Sequence, residues 1–355
     1  AEHPVRFSGL RDGWGGLVLN GTSNSLEHVY VEEARRGIEV HGSSNTFTSL
    51  NVNSCETGLF IAEASLENLI QGVRIDQVGN AIHIEGGAAE IIDSVLLGQG
   101  HGIGIRGVDG EMSVFRRTLV AGFEHGLHLS ATALEVYDGT ITNNQRGVTV
   151  TGADSGVHPA HDCPDFPRFV NPPPYRPAPP ARWYPDPVFI RCDLVGNAEY
   201  AIRIDAPELL VVEGCNIRHN GAGIIVAADS LHEESRIRES NIFGNGDGPV
   251  QVEAFHTNGV LDISGNYWAQ ISDPELSASW LVSHEQGITC SETIPSNRRP
   301  SNYSCTRSGS QYICGAYTCP SNGAGVTCRA TVTAEWEGQI VFTGFSPVEL
   351  EAGPS

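Results

Sequence analysis

GLVL at Gly16–Leu19, GIEV at Gly37–Val40, GLFI at Gly58–Ile61, AIHI at Ala81–Ile84, GIGI at Gly102–Ile105, GLHL at Gly126–Leu129 and GVTV at Gly147–Val150 are one phrase, small-aliphatic-x-aliphatic. It returns as AIRI at Ala201–Ile204, GIIV at Gly223–Val226 and a blurred GPVQV at Gly248–Val252. The leading small residues are spaced 21, 21, 23, 21, 24 and 21 apart, then 54, then 22. Self-similarity at such a period is the mark of a solenoid, in which each repeat is one small unit stacked on the next.

The same period runs upstream of the phrase. Val31, Val52, Ile75, Leu96, Val120, Ile141 and Ile217 stand six residues before the leading position. Leu26, Phe47, Ile70, Ile91, Phe115, Val136 and Val212 stand eleven before it. Each repeat therefore holds three short segments of alternating apolar residues between Gly-, Asn- and Asp-rich turns, and none is long enough for a helix. One repeat cannot bury its own apolar face, so successive coils must stack about 4.8 Å apart with each strand bonded to its equivalents.

On these repeats the chain resembles a right-handed parallel β-helix of the pectate-lyase-like superfamily, over residues 1–268. The expected fold is all-β, with three strands per coil and about ten coils. The opening DGWGGLVL (Asp12–Leu19) resembles the first coil of bacterial surface β-helix proteins, and GNYW (Gly265–Trp268) resembles the closing coil of secreted ones. The chain shows no lid before its first coil, so either residues ahead of Ala1 were removed or something covers that end.

Composition narrows the function classes. With 42 acidic against 21 basic residues the net charge is −21, which leaves no basic stripe for nucleic acid. All 21 basic residues are Arg, so chemistry that needs a lysine is excluded. Nine cysteines suit an oxidising compartment, and no apolar run reaches the length of a membrane span. Secretion or cell-surface display is the expectation, with Asn20-Gly21-Thr22 and Asn302-Tyr303-Ser304 as glycosylation patterns.

The interval of 54 holds one coil and an insertion at about 152–187, VHPAHDCPDFPRFVNPPPYRPAPPARWYPDP. So many prolines cannot pair in a sheet, and a long loop on a rigid scaffold is a usual carrier of function. Trp183, Tyr184, Tyr175 and Arg182 suit stacking on sugar rings. His158, His161 and Asp162 have metal-ligand spacing, with Ca2+ as the one metal the resemblance suggests, although packing is the plainer role for the loop. One of Cys290, Cys305, Cys314, Cys319 and Cys328 is expected to pair with Cys163 or Cys55, in a disulfide-rich cap over 269–355 where a strand pair is expected around Arg329–Glu335 and Gln339–Thr343.

Two columns of the stacked phrase face outward. The middle position reads Val18, Glu39, Phe60, His83, Gly104, His128 and Thr149, and the position just before the phrase reads Arg36, Thr57, Asn80, His101, His125 and Arg146. Histidines on three consecutive coils read either as an acid-base or metal cluster or as a solvated, His-rich strand face. Aligned Asn144, Asn197, Asn220 and Asn245 predict a buried amide ladder, and Cys192 over Cys215 and Ser240 an interior stack of small residues.

Lyases on the resembled fold bind calcium through Asp or Glu and abstract a proton with Arg or Lys beside a uronate carboxylate. That resemblance nominates Arg203, with Asp205 beside it, and His128, though no family motif covers them. The tripeptide Gly100-His101-Gly102 lacks the companion aspartate pair of pectin hydrolases. A non-catalytic protein for glycan binding, adhesion or envelope architecture is the first expectation. A polysaccharide lyase or related enzyme working under the 152–187 loop is the second. The expected partner is a polysaccharide or surface glycan, with the protein a monomer, an end-to-end assembly or another homo-oligomer.

Overall fold

The computed structural model describes residues 4–9, 14–109, 112–151, 187–205, 209–227, 234–252 and 260–268, and seven strands between 282 and 341. The chain divides into two units, one holding Ala1–Asp154, Tyr184–Ser283 and Gly338–Ser355, the other Ser155–Trp183 and His284–Glu337.

The first unit is a β-solenoid of three parallel sheets. A first sheet of 10 strands runs from Val5–Ser8 to Asn241–Phe243. A second of 11 runs from Leu17–Leu19 to Val282–Ser283, and a third of 11 from Ser25–Glu27 to Gln339–Val341. The chain visits the sheets in rotation, so each strand pairs with its equivalents one coil before and after. The strands around Arg329 and Gln339 are not partners: Thr327–Thr333 pairs antiparallel with Gly287–Thr293, and Gln339–Val341 joins the third sheet beside Val260–Asp262.

Inward columns make the core. Phe47, Ile70, Ile91, Phe115, Val136, Phe189 and Val212 stack in register along the third sheet, each almost wholly buried. The first and third sheets meet at a one-residue corner whose left-handed conformation recurs at Ser49, Gly72, Asp93, Arg117, Asp138 and Arg191. Alternating charge along that corner pairs Arg117 with Asp93 at 2.6 Å and Arg191 with Asp138 at 2.7 Å. Most polar interior positions are satisfied by their neighbours above and below, as burial demands, with Asn68 Nδ2 an exception among the described residues. Asn144, Asn197, Asn220 and Asn245 form the expected ladder, and Asn24, Asn45 and Asn68 form a second one at the turn between the second and third sheets. Cys192 and Cys215 are free thiols, the amide of one donating to the sulfur of the other at 3.3 Å, and Cys55 is also free and buried.

One coil departs from the sequence reading. Ile105 lies between Ile82 and Leu127, so the phrase there is Gly104-Ile105-Arg106-Gly107 and the leading residue is Gly104, two positions later than expected. The reason is a longer turn. Ile82 follows Ile75 by 7 positions and Leu127 follows Val120 by 7, whereas Ile105 follows Leu96 by 9, through Gly98-Gln99-Gly100-His101-Gly102. Two consecutive Gly-x motifs make either frame plausible; the register selects the second, and a Cβ at Gly104, facing the core, would lie 2.4 Å from Val120 Cγ1.

The second unit contains a five-stranded antiparallel sheet built from Gly287–Thr293, Thr306–Ser308, Gln311–Cys314, Tyr317–Pro320 and Thr327–Thr333. Cys163 and Cys305 lie outside the described residues, as do the side chains of Cys290, Cys314, Cys319 and Cys328.

Candidate functional site

The second sheet has the longest strands of the solenoid and carries the outward column of the phrase. Because strand side chains alternate, the residue between two inward aliphatics must face out. Register places Glu39, Phe60, His83, Arg106, His128, Thr149, Arg203 and Ile225 in that column. Arg106 takes the place expected for Gly104. Ile103 takes the place expected for His101, which sits instead in the longer turn.

At one end Arg36 lies over the Phe60 ring at 3.9 Å and binds Glu39 at 2.7 Å. His83 meets the edge of Phe60 at 5.1 Å. At the other end a connected network is held by three adjacent strands. Arg146 binds Glu199 at 2.6 Å and donates to His125 Nε2 at 2.9 Å. A guanidinium only donates, so His125 accepts there and offers its Nδ1 proton to Thr149 Oγ1, 3.1 Å away. Thr149 shares a further hydrogen bond of 3.0 Å with the Tyr200 hydroxyl. Both nitrogens of His125 are thus engaged in its neutral form.

His128 stacks on His125 with centroids 5.1 Å apart and makes no hydrogen bond among the described residues. Burial, with Arg106 and Arg146 adding to it, holds the His128 pKa below the ordinary imidazole value. Burial and Arg106 do the same for His83, and burial with His128 and Arg146 for His125. The network also pulls the Glu199 carboxyl down through Arg146 and raises Tyr200 by burial.

Between these two clusters stands Arg106. It is exposed, and among the described residues it has neither an acid nor any hydrogen-bond acceptor, whereas most ion pairs among the described residues of the solenoid engage an arginine.

 A guanidinium left open in a chain with twice as many acids as bases is the unusual feature of this face.

Of the residues nominated from sequence, Arg203 pairs with Asp205 at 3.0 Å, and His128 lies two strands from Arg203 on the same face. Trp183, Tyr184, Tyr175, Arg182, His158, His161 and Asp162 lie outside the described residues. Among the described residues no group of three or more His, Cys, Asp or Glu is arranged to hold a metal ion. Sequence reading missed Arg106, and it did not connect Thr149 with Tyr200 or Arg146 with Glu199. The regularity of the intervals held the signal for Arg106, since starting the phrase at Gly104 turns spacings of 21 and 24 into 23 and 22.

Residues 15–162 match the family model described as right handed beta helix region. No curated protein matches the chain.

Proposed function

We propose that this right-handed β-helix is a secreted or cell-surface protein that binds an acidic polysaccharide along the outer face of its second sheet without cutting it. The observation that carries this reading is Arg106, an open guanidinium with His83 and His128 on the strands to either side. A planar guanidinium can grip a carboxylate or sulfate through two parallel hydrogen bonds, and neutral imidazoles beside it can donate to or accept from sugar hydroxyls. The extended, regular face suits a long repeating ligand better than a small molecule. The six cysteines other than the free Cys55, Cys192 and Cys215 support the extracellular part of the proposal.

A β-eliminating lyase is the second reading, favoured by one observation: His128, held neutral and without a hydrogen-bond partner among the described residues, stands directly across the ladder from Arg106. Arg106 would neutralise a uronate carboxylate while His128 takes the adjacent proton; the freed electron pair would form the double bond as the glycosidic oxygen leaves and is protonated. Against it, His125 has both nitrogens engaged and Arg203 is paired with Asp205, so neither is poised as a base.

Affinity electrophoresis in gels containing polygalacturonate, alginate or a neutral glucan tests the first reading. Retardation by an acidic polymer and not by the neutral one is expected, and equal mobility in all three would remove it. Appearance of the ultraviolet-absorbing unsaturated uronate during incubation would shift the assignment to the lyase.

A further inference from the structure

The longer turn that displaces the repeat frame also lines one end of a groove. A hollow of about 960 Å³ runs along the corner between the first and second sheets over four coils, roughly 14 Å at the usual strand spacing. One wall is made by Glu33, Ser54, Gln77 and Gln99, the other by Arg35, Glu56 and His101. Ala34, Cys55 and Val78 form an apolar floor. Gly79 leaves a gap in the second wall, and no side chain fits there, because a Cβ would lie 2.7 Å from the Glu56 carbonyl oxygen.

The wall side chains are exposed, and those of Glu33, Arg35, Glu56, Gln99 and His101 make no hydrogen bond or ion pair among the described residues. Along the first wall Ser54 donates to Gln77 Oε1 at 3.4 Å. Gln99 and His101 stand at the end of the groove because of the two extra turn residues; a turn of the ordinary length would leave that end open. The lining combines two acids with one guanidinium and one imidazole, so it offers no net positive field to an acidic ligand. Amides that both donate and accept, and carboxylates that accept, are instead the groups that match a ring edged with hydroxyls.

We infer that this groove is a second binding site, distinct from the Arg106 face, for a neutral oligosaccharide. It lies on coils that carry His83 and Arg106 on the neighbouring sheet, but it uses none of the residues of that face. The two sites therefore fail independently.

The test is calorimetric titration of the full chain with neutral hexasaccharides of cellulose, mannan, xylan and chitin. At least one should bind saturably, and the pair Gln77→Ala with Gln99→Ala should weaken it about tenfold or more, while Arg106→Ala leaves it unchanged. Thermal unfolding of the double variant near the wild-type midpoint shows that the fold is kept, since both positions are exposed turn residues. No binding of any of the four at millimolar concentration overturns the inference. So does a double variant that binds as the wild type does, or loss of neutral binding in Arg106→Ala.

Discussion

Asn144 donates from its side-chain amide to Oδ1 of Asn197 at 3.1 Å, although 53 positions of chain separate them. The insertion therefore leaves no trace in the stacking: Val136 meets Phe189, Ile141 meets Leu194 and Val148 meets Ile202 as if the coils were consecutive. Asn197 in turn donates to the Ile141 carbonyl at 3.1 Å and to Asn220 at 2.9 Å. Asn197→Ala leaves several buried groups without partners and should cost about 3 kcal/mol of unfolding free energy, at 1–3 kcal/mol for each unsatisfied group. Urea denaturation measures it; a change below about 0.5 kcal/mol, the range of ordinary surface substitutions, would show that the ladder is not a structural element.

Excision of the insertion should be tolerated by the solenoid. One coil earlier, Ala131-Thr132-Ala133 suffices to carry the chain from Ser130 to Leu134, the register partners of Thr151 and Pro187. Replacing 152–186 with Ala-Thr-Ala should thus give a chain that still melts cooperatively with the β-sheet circular dichroism of the parent. A molten or aggregated product would mean that the insertion holds the coils together.

The frame of the fifth phrase can be checked with glycines. Gly104→Ala forces a Cβ against Val120 and the Gly126 backbone, a clash that typically costs about 1–3 kcal/mol. Gly100 adopts a left-handed φ of 84° with nothing within 4 Å of an added Cβ, so Gly100→Asn should be far milder. Thermal melts of the two variants decide it. A Gly104→Ala variant that melts as the parent does would instead support the frame that starts at Gly102, in which position 104 faces outward.

Acid should destabilise the second-sheet face before it reaches any carboxylate. His83, His125 and His128 have pKa values below the ordinary imidazole value in the folded chain, chiefly through burial. As pH falls through about 6.5 the unfolded chain takes up protons first, so unfolding is favoured and stability declines with acidity. Above that pH neither state holds the extra protons and this contribution is flat. Melting temperatures between pH 8 and pH 5 in low salt should therefore start to drop near pH 6.5, and His128→Gln should blunt the drop. A flat profile in the parent would contradict the burial of these imidazoles.

The fold was legible because its determinants repeat. Inward aliphatics at fixed offsets, such as Ile70, Ile91 and Phe115, are imposed by stacking on every coil, and the amide ladder follows from the same periodicity. The site was legible only in part. His128, Arg203 and Asp205 fell on the outward face by alternation, but Arg106 was hidden by a turn two residues longer than its neighbours, which shifts a column without breaking the pattern on either side. The Arg146–Glu199 and Thr149–Tyr200 contacts join residues more than 50 positions apart across the insertion, a distance no local pattern encodes.

The most direct measurement is calorimetric titration of an acidic hexasaccharide, hexagalacturonate, into wild type and Arg106→Ala at low salt. Removing a charged double hydrogen bond at an exposed site is expected to weaken binding about tenfold to a hundredfold, the equivalent of roughly 1.5–3 kcal/mol. Arg203→Ala, whose guanidinium is already held by Asp205, should change it far less. Equal affinity of the wild type and Arg106→Ala would contradict the assignment of this face as the polysaccharide-binding surface.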